Sequence, residues 1–172
     1  SQTYLDRALS VASPQFCNKV YIGSDFDVIQ QAKAHQFDND NIRIFYLGAI
    51  GNSYDLDTAI KGVKNLASNG YKVELHIFGS GPDVARLQKI AGSETIFHGY
   101  LPYREMFAFA KGCHIALNPI RQHAAQSVTN KLSDYLSLGC PILNSQCNDE
   151  VKALLSGHLH ANYTAGNVES IQ

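Results

Sequence analysis

A chain of 172 residues, 45% of them hydrophobic and 17% charged, buries one ordinary core and is short for two domains. Its 14 basic and 15 acidic side chains leave a net charge of −1, which excludes a surface built to hold nucleic-acid phosphates. No apolar run approaches the roughly 18–20 residues of a membrane helix, so no transmembrane segment is expected.

The first 40 residues read as a linker and an entry strand: a helix around Tyr4–Val11, a strand over Lys19–Ile22, and an Asx-rich turn from Asp38 to Asn41. From residue 41 to residue 172, short β-rich runs alternate with helix-period segments. That alternation predicts an α/β domain with a doubly wound parallel sheet. Five strands are expected, at Ile42–Leu47, Val73–Phe78, Thr95–His98, His114–Leu117 and Pro141–Asn144. Between them fall helices. Leu56, Ala59, Ile60, Val63, Leu66 and Ala67 recur three and four apart ahead of Asn69-Gly70; Pro82–Ala91 and Pro102–Ala110 start on prolines; Val128, Leu132, Tyr135 and Leu136 mark a further helix closed by Gly139. Lys152–Leu155 belongs to another, and the stretch from Asn162 breaks off where one more helix could begin. Ser1 opens the chain and Met106 is its single methionine, so a piece of a longer protein, cut at both ends, is expected.

Ligands of open parallel sheets bind beyond the carboxyl ends of the strands, and three of those segments carry glycine. They are Gly48-Ala49-Ile50-Gly51-Asn52-Ser53, Gly79-Ser80-Gly81-Pro82 and Gly99-Tyr100-Leu101-Pro102. Each lets backbone approach a ligand closely and runs into a helix start that favours anions. Tight βα turns account for the same glycines. The dinucleotide fingerprint fails at Gly79-Ser80-Gly81 for want of a third glycine, and a Walker lysine is missing. The densest segment is Gln126-Ser127-Val128-Thr129-Asn130-Lys131-Leu132-Ser133-Asp134. At 100° per residue, Val128, Leu132 and Leu136 form one stripe, while Ser127, Lys131 and Asp134 share another face. Helix-start N–H groups with a lysine suit a diphosphate, and a carboxylate one turn along suits the vicinal hydroxyls of a ribose. A capped helix with a surface Lys131–Asp134 pair is the alternative reading.

Cys17, Cys113, Cys140 and Cys147 include no CxxC pair, and no secretory leader opens the chain, so neither zinc nor a disulfide framework is expected. His158-Leu159-His160 supplies two ligands at most and reads as a late surface turn; no metal is assigned. His98 and His114 are expected at strand ends as satisfied histidines.

Several of these landmarks occur in a familiar order. Val20–Asp25, Phe45-Tyr46-Leu47-Gly48, Leu56-Asp57-Thr58-Ala59-Ile60, Ile77-Phe78-Gly79-Ser80-Gly81-Pro82, Phe97-His98-Gly99-Tyr100-Leu101-Pro102 and, most specific, Thr129 through Ile142 resemble the C-terminal, donor-binding domain of GT-B-fold glycosyltransferases. The group is the large retaining one labelled glycosyl transferases group 1, and the similarity is to its bacterial surface-polysaccharide members. The resemblance implies a Rossmann-like domain forming the C-terminal half of a GT-B enzyme, whose N-terminal acceptor domain is absent here. Asp134 takes the place of the glutamate that holds the donor ribose. Gln126, eight positions earlier, stands where many relatives carry the first of two glutamates. Ala49 and Tyr54 replace the arginine and lysine that grip the diphosphate in relatives.

The implied reaction is retaining transfer of a hexose-type sugar from a nucleotide donor, UDP- or GDP-linked, to an acceptor hydroxyl in polysaccharide or glycoconjugate synthesis, with no cofactor. The resemblance casts Lys131 and Gln126 in the catalytic role. Gly48, Gly51, Asn52, Gly79, Gly81, Gly99, Tyr100, Leu101, Ser127, Val128, Thr129, Asn130, Lys131 and Asp134 would hold the donor, with Tyr100 or Leu101 beside the base. A carbohydrate or lipid-linked acceptor would meet the missing domain. The isolated chain is expected to fold and bind nucleotide weakly without turnover. The compartment expected is the cytoplasm, with peripheral attachment of the parent to the inner membrane face left open. A non-catalytic nucleotide-binding module and a nucleotide-sugar epimerase of the same fold are the alternatives.

Overall fold

Strands that are apolar at nearly every position need cover on both faces, and Ile42–Leu47 finds that place at the centre of the molecule. The computed structural model describes residues 2–13, 16–124 and 128–171. Its strands are β1 (Ile42–Leu47), β2 (Val73–Phe78), β3 (Thr95–Gly99), β4 (Ile115–Asn118), β5 (Ile142–Asn144) and β6 (His160–Asn162), all parallel in the order β3-β2-β1-β4-β5-β6. The helices are α1 (Gln2–Leu9), α2 (Phe26–Gln31), α3 (Leu56–Ser68), α4 (Val84–Gln88), α5 (Tyr103–Lys111), α6 (Asn130–Leu138) and α7 (Asp149–Leu155), with a 3-10 turn at Val168–Ile171. This is the doubly wound, Rossmann-like α/β sheet that the alternating pattern predicts.

The apolar period of each helix decides which face it covers. α3 and α4 lay Leu56, Ile60, Val63 and Leu87 on Ile44, Tyr46, Leu75 and Ile77. On the opposite face α2, α5, α6 and α7 lay Ile29, Phe107, Leu132, Tyr135 and Val151 on Phe45, Leu47, Phe78 and Ala116. Caps punctuate them: Asp25 accepts from Val28 N at 3.1 Å to start α2, Asn148 accepts from Val151 N at 2.8 Å to start α7, and Gly139 ends α6 at φ +69°.

The departures from expectation have local causes. The strand expected over Lys19–Ile22 does not form: Val20 and Ile22 are exposed, and the segment lies along α6 and α7, where Ile22 O accepts from Ser133 Oγ and Tyr21 donates to Glu150. α2 was not anticipated, because six residues with one buried side chain, Ile29, show no period. The helix expected over Pro82–Ala91 contracts to α4, and the one over Tyr4–Val11 begins earlier and stops at Leu9. β6 replaces the end of the turn expected at His158–His160; as an exposed edge strand of His-Ala-Asn it carries none of the apolar run that marked the others.

At their C-terminal ends β4, β5 and β6 place Asn118, Asn144 and Asn162 in register. Asn118 Nδ2 donates to Asn144 Oδ1 at 2.8 Å, and Asn144 Nδ2 donates to Asn162 Oδ1 at 2.9 Å. The row keeps the half of the sheet that leads into α6 and α7 in one register.

The histidine expected at the end of β3 belongs to a longer row. Glu74 faces His76 Nε2 at 3.2 Å, and His76 Nδ1 lies 2.9 Å from His98 Nε2. His98 also stacks on Phe78 with centroids 4.2 Å apart. Burial, then the neighbouring His76, holds His98 down at about 4, and burial lowers His76 despite Glu74. An unfolded imidazole takes up a proton near pH 6.5, which folded His98 refuses until about pH 4, and folded His76 is shifted in the same direction. The unfolded state therefore binds more protons in that window, and stability falls as pH drops through it, by up to about 3 kcal/mol for His98. Thermal melts between pH 7.5 and pH 4.5 are expected to show a declining midpoint, and His98→Phe, which retains the stack, is expected to flatten the decline.

Candidate functional site

β1 and β4 are neighbours whose following helices, α3 and α6, go to opposite faces of the sheet, which makes their C-terminal ends the switch point where a crevice must open. Pairing between them is confined to Ile44↔Ile115 and Phe45↔Ala116. Beyond it the buried Tyr135 of α6 inserts its hydroxyl, accepting from Leu47 N at 3.0 Å and donating to Leu117 O at 3.0 Å. A side chain thus carries the hydrogen bonds that the ladder gives up where the strands part.

Above this wedge lies a cavity of about 540 Å3, walled by Leu47, Gly48, Ala49 and Tyr54 on one side and by Val128, Thr129, Asn130, Lys131 and Asp134 on the other, with Tyr103, Met106 and Tyr4 closing it. A second, of about 330 Å3, shares Gly48, Ala49, Tyr103 and Met106 and adds Phe78, Gly79, Ser80, Tyr100 and Leu101. Together they make one bent trough across the ends of β1, β2 and β3.

Lys131 dominates the first cavity. It is 7% exposed, and its ammonium lies 3.8 Å from the Tyr54 ring centroid and 5.0 Å from that of Tyr46. No hydrogen bond or ion pair to it is found among the described residues. Burial lowers it to about 7, with the Asp134 charge opposing. The side chain reaches Gly48 so closely that a Cβ there would meet Lys131 Cε at 3.3 Å. Gly48 itself sits at φ +130°, its corner shaped by Tyr46, which donates to Ala49 O. Tyr54 is held over the lysine by a bridge to Ile120 and by a 5.6 Å edge-to-face contact with Tyr46.

Thr129 takes the N-cap position of α6, yet its buried Oγ1 has no hydrogen-bond partner among the described residues. The first turn of the helix carries no acidic residue to neutralise its free N–H groups. Asp134, one turn along, accepts at Oδ1 from Ser24 at 2.7 Å and from Tyr103 at 2.7 Å. A buried ammonium, a helix start and a carboxylate line one cavity of the trough. That cavity can take a polyanion, and the carboxylate can accept from hydroxyls. Among the described residues no three His, Cys, Asp or Glu side chains converge to hold a metal ion.

The family described as Glycosyl transferases group 1 matches residues 41–170. The chain belongs to that family. No curated protein sequence matches it significantly. Among solved structures this glycosyltransferase domain is similar to the lipopolysaccharide outer core galactosyltransferase WaaB in its apo form, with TM-score 0.59, 18% identity, and coverage of 80% of this chain and 40% of that one. It is also similar to a mutant of S. aureus TarM in complex with Fondaparinux, alpha-GlcNAc-glycerol and UDP, with TM-score 0.64, 12% identity, and coverage of 99% and 34%. The catalytic domain of cholesterol-alpha-glucosyltransferase from Helicobacter pylori matches with TM-score 0.54, 20% identity, and coverage of 76% and 80%. At these identities the likeness is one of fold, that of a GT-B glycosyltransferase domain. The chain spans two fifths or less of the WaaB and TarM chains.

Within the glycosyltransferase domain, Gly48, Gly79, Tyr100, Leu101, Val128, Thr129, Asn130, Lys131 and Asp134 line the trough. Gly51, Asn52, Gly81 and Gly99 line neither cavity. Gly81 is needed where it is for packing, since a Cβ there would fall 2.0 Å from Ile50 O, and Asn52 O accepts from Arg121 Nε at 2.9 Å. Gln126 and Ser127 lie outside the described residues. Tyr103, Met106 and Ser24 were not singled out from sequence. Tyr103 carried one signal, its place just after Pro102 at a helix start facing the carboxyl end of the sheet; Ser24 carried none. Among the described residues no helix is long and apolar enough to cross a membrane.

Proposed function

We propose that this domain is the C-terminal, donor-binding half of a retaining glycosyltransferase that moves a hexose-type sugar from a nucleotide to an acceptor hydroxyl in polysaccharide or glycoconjugate synthesis. The observation that carries the reading is the buried Lys131 ammonium in the first turn of α6, with no hydrogen bond or ion pair to it among the described residues. A nucleoside diphosphate fits the trough in one sense: diphosphate on α6 and Lys131, pentose at Asp134, base in the second cavity between Gly79, Tyr100 and Leu101. UDP occurs in the TarM complex, and a UDP- or GDP-linked donor is the substrate class proposed here.

As the bond between sugar and diphosphate breaks, negative charge grows on the leaving phosphate oxygens. A lysine held in a water-poor site gains more from that growing charge than from the ground state, which is the requirement for speeding the step. The acceptor, carbohydrate or lipid-linked, and the groups that hold it belong to the domain that faces the trough in the parent. The isolated chain then binds donor without transferring it, and works in the cytoplasm or at the inner membrane face within that parent.

Thermal melts with UDP, GDP, ADP and inorganic pyrophosphate test the reading. One nucleotide is expected to raise the midpoint by several degrees at millimolar concentration, and Lys131→Ala is expected to abolish the rise. No protection by any nucleotide, or protection that survives Lys131→Ala, overturns the reading. Ala49 and Tyr54, where relatives carry cations, favour a second reading as a non-catalytic nucleotide-binding module. Lys131→Ala and Asp134→Ala in the full-length parent separate the two: transfer that falls at least a hundredfold belongs to the enzyme, and transfer left intact to the module.

A further inference from the structure

Asp134 enters the cavity with half of its accepting capacity already used. An ionised carboxylate offers about four lone-pair sites, two on each oxygen. Both sites on Oδ1 are filled by hydroxyl donors, Ser24 Oγ at 2.7 Å and Tyr103 Oη at 2.7 Å, and no hydrogen bond to Oδ2 is found among the described residues. The two donors come from different parts of the fold, Ser24 from the chain ahead of α2 and Tyr103 from the first residue of α5. Tyr103 is anchored by an edge-to-face contact with the buried Phe107, centroids 4.5 Å apart, one turn along α5. It also stands at the joint of the two cavities, lining both.

Aspartate is short, and its carboxylate rotates broadly about its last torsion unless something stops it. A ligand hydroxyl then meets a spread of orientations, and part of the binding free energy goes into fixing one. The phenol and the serine hydroxyl stop that rotation before the ligand arrives.

We propose that Tyr103 is a positioning residue for Asp134: its hydroxyl, with that of Ser24, fills Oδ1 and leaves Oδ2 as the acceptor for the pentose hydroxyls, so selection of a ribonucleotide rests on α5 as well as on α6. This rests on the reading of Asp134 as the ribose-holding group. Burial and the hydrogen bond to Asp134 raise the Tyr103 phenol above its ordinary range, so it remains a donor throughout the neutral and mildly alkaline region. The discrimination expected is of 2′-deoxy nucleotides, which lack one of the two hydroxyls. The phosphate end of the trough is untouched by the loss of the phenol.

The test is calorimetric titration of UDP, 2′-deoxy-UDP and inorganic pyrophosphate, with GDP and ADP and their 2′-deoxy forms in parallel, into wild type, Tyr103→Phe, Asp134→Ala and the double variant. Tyr103→Phe keeps the ring on Phe107 and removes only the donor. It is expected to weaken the best ribonucleotide about 5- to 10-fold, its deoxy form less than about 2-fold, and pyrophosphate not at all; in the Asp134→Ala background it is expected to add nothing. An equal loss for all three ligands, or a ribo-to-deoxy ratio unchanged in Tyr103→Phe while Asp134→Ala collapses it, overturns the role of Tyr103 alone. A ratio unchanged in Asp134→Ala overturns the ribose assignment, and absence of nucleotide binding in wild type overturns both.

Discussion

Lys131→Met is expected to make the unliganded protein more stable while removing its response to nucleotide. The ammonium lies in a site that lowers it from 10.5 to about 7, so below pH 7 the fold carries a charge that water would hold more favourably. That difference, set against about 1–2 kcal/mol returned by the Tyr54 and Tyr46 rings, leaves a net cost on the order of 3–4 kcal/mol. Methionine fills the same channel past Gly48 without the charge. A rise in melting temperature of about 5 °C or more at pH 6 is expected for a chain of this length. The sign with pH is fixed by linkage. Between pH 7 and pH 10.5 the unfolded lysine keeps a proton that the folded one sheds, so wild type gains stability across that window. The advantage of methionine is therefore largest below pH 7 and shrinks towards pH 10.5. A variant that melts lower than wild type at pH 6 shows the ammonium to be paired, and the site loses its claim to an anion.

Tyr135→Phe is expected to destabilise the fold by about 2–4 kcal/mol, although only one oxygen is removed. That oxygen serves Leu47 N and Leu117 O together, at 3.0 Å each, and both backbone groups are left dry and unpaired in the variant. Urea titration is expected to move the midpoint down with the slope unchanged, since the apolar surface exposed on unfolding is the same. A loss under about 0.5 kcal/mol shows that water reaches the gap between β1 and β4. The substitution touches neither Lys131 nor Asp134, so a loss of pyrophosphate affinity at a temperature where the variant is folded reports on the spacing of the two strand ends alone.

The strands β1 to β5 were legible because a strand covered on both faces is apolar at most positions, and Ile42–Leu47 and Val73–Phe78 match their observed bounds. β6 and α2 were not, since one is an exposed edge and the other a six-residue helix with one buried side chain. At the trough the pattern was different. Lys131 and Asp134 lie three apart on α6, the spacing that put them on one face in the sequence, and Thr129 stands at the start of the same helix. Tyr103 lies 31 residues from Asp134 and Ser24 lies 110, and contacts of that separation come from topology, which local period does not record. Tyr54 was noticed in the sequence for the cation it replaces; only the bridge to Ile120 reveals that it roofs Lys131.

The glycine corners after β1, β2 and β3 lean on one another in series. Gly48 N donates to Phe78 O at 2.9 Å, Gly79 N donates to Gly99 O at 2.7 Å, and a Cβ on Gly79 would fall 1.9 Å from Gly48 O. Linked in this way, the floor of the trough cannot flex one loop at a time, and it behaves as a single rigid bench. Ligands of differing bulk must then be accommodated by the rings that overhang it, so differences in what such domains accept should be sought in tyrosine rotamers such as those of Tyr54 and Tyr103, not in the glycines beneath them.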